Sequence, residues 1–199
     1  MTINNIEKYN KEADQLIKQY ESITFEELNQ QTIPFLPPAS SHILEIGAGS
    51  GRDAGWFATN GYRVTAIEPA AELSKRAQKL HPSKMINWLE DSLPHLQLVK
   101  TIERTFDLIW LSAIWMHLAP PDRQIAFANL DLVLNKNGKM MLTLRHGPAP
   151  EGRTFYPVSV DEILSLASEH EMKPILVTST EDSFRRQEIS WDTIMLVKE

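Results

Sequence analysis

Between Leu44 and Phe57 the chain reads LEIGAGSGRDAGWF, with glycines at 47, 49 and 51 directly after an apolar run and directly before a helical pattern. Strand, glycine turn and helix in that order constrain the fold more than any other stretch. In an open parallel sheet the first such turn faces the ligand, beyond the carboxyl ends of the strands. Glycine there permits positive φ and lets a ligand approach the backbone without meeting a Cβ. Gly47, Gly49 and Gly51 therefore read as a floor under a nucleoside-bearing ligand. Glu68 closes the next strand about 20 residues on, the place from which an acid accepts hydrogen bonds from ribose hydroxyls. The bland alternative is a tight turn followed by a solvated strand end.

The rest of the chain alternates accordingly. HILEIG, YRVTAIE, MINWL, FDLIWL and KMMLTLR read as buried strands. Helical patterns stand between them: RDAGWFATN, ended by Asn60-Gly61, the face Leu73, Ala77 and Leu80, and the stretch from Pro120-Pro121 to Asn137-Gly138. Strict alternation calls for parallel pairing with right-handed crossovers and helices on both faces, an α/β fold. After a helix around Val160 to Ala167, PILVTST and ISWDTIMLV are separated only by EDSFRRQE. That is too short for a parallel crossover, so the last two strands form an antiparallel hairpin. Ahead of the sheet, Ile6, Tyr9, Ala13, Leu16, Ile17 and Tyr20 make one apolar helical stripe, and FEELNQQTIPFL is amphipathic up to Pro37-Pro38. We expect a single domain over 1–199, with 1–38 a helical extension that packs as an extra helix or lids the site, and 42–199 the ligand-binding core.

Composition narrows the functional classes. With 199 residues and 42% hydrophobic content the chain supports one sizeable core. A formal charge of −6 provides no basic field for nucleic acid or an anionic membrane surface. The lack of cysteine rules out disulfides and thiolate chemistry and suits a cytoplasmic protein. The opening MTINNIEKYNKEADQ lacks the basic and apolar regions of a secretory signal, and no run approaches membrane-spanning length.

The glycine pattern is GxGxG, and Arg52 occupies the position where a dinucleotide site keeps a third glycine for close packing around a pyrophosphate. With Glu45 two residues before that turn, the chain resembles the class I S-adenosylmethionine-dependent methyltransferases over Ile43 to Lys198. GSGRDAGWFATNGYRVTAIEP is similar to small bacterial methyltransferase-domain proteins. The resemblance implies a Rossmann-like seven-stranded, mostly parallel sheet ending in an antiparallel hairpin, with S-adenosyl-L-methionine as cofactor and S-adenosyl-L-homocysteine as product. It assigns Glu45, Gly47, Ala48, Gly49, Gly51 and Glu68 to the cofactor, with Pro69 beside them. It gives Asp91 the adenine amino group, Ser92 backbone contact with the same ring, and Ser112 a carbonyl for the methionine ammonium. Asp91 serves equally well as a helix cap in EDSLP. Asp107 is expected to support the sheet end and the glycine loop. Arg52 either meets the methionine carboxylate or is an exposed residue at a helix start.

Methyl transfer from a sulfonium needs alignment in a water-poor pocket more than a dedicated catalytic group. An oxygen or nitrogen acceptor benefits from a base; a sulfur, selenium or tellurium anion does not. His117, in SAIWMHLAPP after the fourth strand, is the first candidate base and His146 the second. The long proline-rich loop from Arg145 to Tyr156 carries Arg145 and Arg153 near the expected pocket mouth, where they suit an anionic acceptor or are solvated surface. No metal ligands are assigned. The reading is methyl transfer to a small molecule, with no nucleic-acid or membrane partner, by a monomer or homodimer. The alternatives are an NAD-dependent oxidoreductase and a non-catalytic S-adenosylmethionine-binding protein.

Overall fold

The computed structural model describes residues 2–102 and 105–199. Seven strands form one sheet: β1 (His42–Ile46), β2 (Arg63–Ile67), β3 (Ile86–Leu89), β4 (Phe106–Leu111), β5 (Leu134–His146), β6 (Met172–Glu181) and β7 (Ser190–Lys198). Their order is β3-β2-β1-β4-β5-β7-β6. The first five strands pair in parallel, while β7 runs antiparallel to both β5 and β6, so the terminal hairpin is as expected. Strand order reverses between β1 and β4, which opens a crevice at their carboxyl ends.

Period-2 alternation places a core on each face. Leu44, Ile46, Ile109, Leu111, Leu142 and Ile194 lie on one side with Phe127 and Leu130 of α6 (Pro120–Val133) and Ile163 of α7 (Val160–Glu169). Ile43, Val64, Leu108, Trp110, Met141 and Met195 lie on the other with Ala54 and Phe57 of α4 (Arg52–Thr59) and Phe25 of α3 (Phe25–Asn29). The rings of Phe25, Trp56, Phe57 and Trp110 pack at centroid distances of 3.9 to 5.5 Å, pinning α3 and α4 to the sheet. Among the described residues no helix is long and apolar enough to cross a membrane.

Three local expectations are corrected. The amino-terminal stripe forms two helices, α1 (Ile3–Lys11) and α2 (Ala13–Tyr20), because the chain leaves helical geometry at Glu12 (φ −96°, ψ 7°). The break lets the stripe change partner: Asn5 and Tyr9 reach His117, whereas Leu16 packs with Leu73 of α5 (Ala71–Leu80). Helix α6 stops at Val133 rather than at Asn137-Gly138. Leu134 already pairs with Phe106, and Asn137 (φ 63°) lies within an irregularity of β5, so an Asn-Gly signal that reads as a turn is spent on a bulge.

Asp107 supports the amino end of the sheet, not the glycine loop. Its carboxylate accepts from the His42 backbone N–H at 2.8 Å and from Asn135 Nδ2 at 2.7 Å, tying the first residue of β1 to the start of β5. Asp107→Ala strands both donors and should lower unfolding free energy by about 1–3 kcal/mol in urea titrations, with ligand affinity at the opposite sheet end unchanged.

Candidate functional site

A cavity of about 510 Å³ opens over the carboxyl ends of β1, β4 and β5. Its floor is the turn after β1, where Gly47, Gly49 and Gly51 have φ of 68°, 59° and 83°. The three glycines do different things. A Cβ on Gly51 would stand 2.9 Å from the Trp88 ring and 3.0 Å from His81, so this residue lets α4 settle against β3 and α5. A Cβ on Gly49 would stand in ordinary contact with the Tyr20 ring, at 3.6 Å, and the Gly47 carbonyl, at 3.9 Å, and Gly49 lines the cavity. Over Gly47 lies Ile114, whose Cδ1 is 2.2 Å from where a Cβ would be.

Four amides of the turn are already committed. Gly47 and Ala48 both donate to the Ile67 carbonyl, Gly51 to the Ala48 carbonyl and Gly49 to Glu68. The turn therefore offers bare Cα surface rather than a nest of free N–H groups, which is what a pyrophosphate would need.

Three carboxylates lie beneath this floor. Glu68 accepts from Gly49 N–H through Oε2 and from Ala70 N–H through Oε1, each at 2.9 Å, and so bridges the ends of β1 and β2. Burial pushes its carboxyl up to about 7, although both amide bonds pull the other way. Asp53 is buried and accepts from Trp110 Nε1 at 2.8 Å and Arg52 Nε at 2.7 Å. Glu45 is buried, and its Oε2 has no hydrogen-bond partner. Burial first, then the Asp53 charge, holds its carboxyl well above the ordinary range.

The expected residues fall into two groups. Glu45, Gly47, Ala48, Gly49, Arg52, Glu68 and Ser112 line the main cavity, whereas Pro69, Asp91 and Ser92 converge on an adjoining crevice of about 20 Å³ walled by Ile114 and Leu118. Gly51 lines neither. Arg52 is not an exposed helix-start residue: besides Asp53 it reaches the Tyr20 carbonyl at 3.1 Å, fastening the end of α2 to the glycine turn. Asp91 caps no helix in EDSLP; its carboxylate turns onto the chain itself and accepts from the backbone N–H groups of Ser92, Gln97, Leu98 and Val99 at 2.8 to 3.1 Å.

Helices α1 and α2 form the roof. Asn5, fully buried, bonds both ways with the Thr154 backbone: Oδ1 accepts from Thr154 N–H, and Nδ2 donates to Thr154 O, each at 2.9 Å. That pair fixes the amide orientation, so Asn5 Nδ2 also donates to His117 Nδ1 at 3.1 Å. The imidazole proton then sits on Nε2 and is donated to the Tyr9 hydroxyl at 3.2 Å. Tyr9 interacts in turn with the hydroxyl of Tyr20. His117 thus serves as a fastener of the roof: it is buried, both ring nitrogens are engaged, and desolvation lowers its pKa to about 3. A ring that basic only near pH 3 is a weak proton acceptor at neutral pH. His146 lies apart, bonded to Asp192 at 2.7 Å.

Sequence reading missed the distal wall. Trp191 pairs with Arg145 across β5 and β7, and Asp182, Phe184 and Arg186 of the hairpin loop also line the cavity. Asp182 accepts from Arg186 Nε and Nη2 and from Trp191 Nε1, which holds the loop in shape. The signal was topological: an antiparallel β7 begins where its parallel neighbours end, so EDSFRRQE had to lie at the site. Asn5 also carried a signal, as a polar residue four before Tyr9 on the apolar stripe.

Comparison with known proteins agrees with this geometry. Residues 44–142 match a methyltransferase-domain family. An uncharacterized methyltransferase of Alkaliphilus oremlandii is 30% identical over 105 residues, which cover 50% of this chain and 43% of that relative, so the match spans less than half of the relative's length. A TehB-like S-adenosylmethionine-dependent methyltransferase from Corynebacterium glutamicum superposes with a TM-score of 0.68 at 21% identity, covering 98% of each chain. The N-methyltransferase NodS of Bradyrhizobium japonicum gives 0.65 at 16% identity, covering 100% of this chain and 99% of that one. A Burkholderia thailandensis 1,6-didemethyltoxoflavin-N1-methyltransferase, solved with its acceptor and S-adenosylhomocysteine, gives 0.63 at 18% identity over 80% of this chain and 72% of that one.

Since the His117 pKa is depressed from 6.5 to about 3, its contribution to stability is present above about pH 6.5 and lost as pH falls toward 3. His117→Gln should flatten that part of the stability profile by an amount on the order of a few kcal/mol, read by urea titration at several pH values.

Proposed function

Because the chain belongs to the methyltransferase-domain family of class I S-adenosylmethionine-dependent enzymes, we propose that it moves a methyl group from S-adenosylmethionine to a small-molecule acceptor. The observation that carries this reading is the pairing of a glycine floor whose amides are already bonded with an orphaned, buried Glu45 oxygen in the cavity lining. Such a floor suits an uncharged thioribose and disfavours a pyrophosphate. The orphaned oxygen suits an ammonium, which would satisfy it and draw Glu45 into its charged form.

The residues present fit the cofactor in the following division. Glu45 and the Ser112 carbonyl would receive the methionine ammonium. Glu68 keeps lone pairs beyond its two amide bonds and would accept from the ribose hydroxyls. Pro69, Ser92 and Leu93 would flank the base at the narrow crevice, which Ile114 and Leu118 wall. Asp91 would contribute mainly by holding the 92–99 segment in place.

When bound, S-adenosylmethionine supplies a methyl group on a sulfonium sulfur, and transfer forms the acceptor–carbon bond as the carbon–sulfur electron pair returns to sulfur. The chain's own work is alignment and exclusion of water. The roof of α1 and α2 closes the cavity from above, with Tyr9 and Tyr20 facing it. Burial raises both phenols above their ordinary pKa, so they stay protonated and act as hydrogen-bond donors rather than bases. Proximity in such an enclosure lowers a barrier by roughly 7–11 kcal/mol in well-oriented systems. With both His117 ring nitrogens engaged inside the roof, the site suits an acceptor atom that is nucleophilic without giving a proton to the protein.

Isothermal titration should show S-adenosylhomocysteine binding to the full chain and NAD failing to bind, and a panel of small acceptors should release S-adenosylhomocysteine from S-adenosylmethionine. Binding of NAD alone would overturn the reading. Glu68→Ala should weaken S-adenosylhomocysteine binding by roughly 1.5–3 kcal/mol, the size of a lost charge-assisted hydrogen bond. Unchanged affinity would remove Glu68 from the ribose role.

A further inference from the structure

The far half of the cavity carries an ordered arc that the cofactor reading leaves unused. The Arg145 guanidinium lies over the Phe155 ring at 5.4 Å, and Phe155 meets the His117 imidazole at 4.7 Å. His117 meets Tyr9 at 5.6 Å, and the Arg153 guanidinium covers the Tyr9 ring at 4.4 Å. Guanidinium, ring, imidazole, ring and guanidinium thus follow one another along the wall, and all five residues line the cavity.

The charges of this wall do not close on themselves. Lys8 and Arg153 share the single carboxylate of Glu12, and Arg186 takes Asp182. Glu151, another carboxylate of the lining, is exposed to solvent. Arg145 is only 9% exposed and has no carboxylate within ion-pair distance among the described residues; its Nη1 donates to the carbonyls of Gly147 and Pro148. The Arg153 side chain is likewise 9% exposed, and its Nε is buried without a hydrogen-bond partner. A buried guanidinium without a counter-charge costs stability unless a ligand supplies one. Burial acts on Arg145 in that sense, lowering its pKa from the ordinary value.

We propose that the methyl acceptor is a flat apolar molecule bearing a carboxylate, with the carboxylate received by Arg145 and the body laid along the wall formed by Phe155 and Tyr9. A guanidinium fork matches a planar carboxylate in two parallel hydrogen bonds, and the rings that follow Arg145 along the cavity wall offer apolar surface to a flat body. A free inorganic anion would use the charge and leave the rings idle. A neutral acceptor would leave Arg145 with only the more distant Asp182 charge to offset it. This inference rests on the cofactor reading above, because the anion is placed opposite the glycine floor.

The test measures binding of benzoate and 2-naphthoate, and of benzamide and 2-naphthamide, to the full chain saturated with S-adenosylhomocysteine, by titration calorimetry and ligand-observed NMR. The acids should bind and the matching amides should not. Arg145→Met should weaken acid binding by about tenfold or more while S-adenosylhomocysteine affinity stays within about threefold. Arg145→Lys keeps the charge without the fork and should recover only part of the acid affinity, which separates loss of recognition from loss of fold. Equal binding of acids and amides, no binding of either acid at millimolar concentration, or unchanged acid binding in Arg145→Met would overturn the proposal. Loss of S-adenosylhomocysteine affinity in Arg145→Met would assign the arginine to the cofactor and overturn it as well. Failure of S-adenosylhomocysteine to bind the unmodified chain would instead sink the cofactor reading beneath it.

Discussion

The site depends on one carboxylate placed between two strand ends. Glu68 holds the Gly49 amide with one oxygen and the Ala70 amide with the other, which sets the height of the glycine turn relative to the start of α5. Hydrogen bonds from neutral amides to a charged acceptor are among the stronger ones, and here they act where water cannot compete. The same burial raises the pKa of the group to about 7, so near neutral pH its charged form is held at a cost that the proposed ribose hydroxyls would lower. Arg52, reaching from the beginning of α4 to the Tyr20 carbonyl, passes the position of that turn on to the roof.

The cavity is electrically divided. Glu45 and Glu68 stand at the glycine turn, whereas the distal wall carries Arg145 beside the paired Arg186 and Asp182. A ligand with a cationic centre is drawn to the first and repelled by the second, and an anion behaves in the opposite way. Two reactants of those types would sort themselves without a mobile gate. The roof adds rigidity, since the Asn5 amide answers both backbone groups of Thr154 and so couples α1 to the loop that carries Phe155.

Much of this was legible in the sequence because hydrophobic period and glycine placement act locally. All seven strands and the antiparallel hairpin follow from alternation and from the length of EDSFRRQE, and the glycine floor follows from GxGxG after a strand. What was not legible depends on long-range geometry. Asp107 and Asp91 are acids at strand ends, and nothing nearby in sequence says whether such a carboxylate meets a ligand or the chain's own amides. His117 follows β4 on the ligand side as expected, but its partners, Asn5 and Tyr9, are more than 100 residues away. Asn137-Gly138 signals a reversal, and only the buried pairing of Leu134 with Phe106 decides that the chain bulges and continues.

The reversed direction of β7 sets how such a protein can diversify. Both ends of the 182–189 connection lie at the outer margin of the sheet, yet the connection itself overhangs the reactive crevice and is braced internally by Asp182. Loop exchanges there can re-dress the pocket without disturbing a crossover of the parallel half. On the proposed reading, choice of acceptor would be a detachable module, whereas the nucleoside cradle would be welded to the framework.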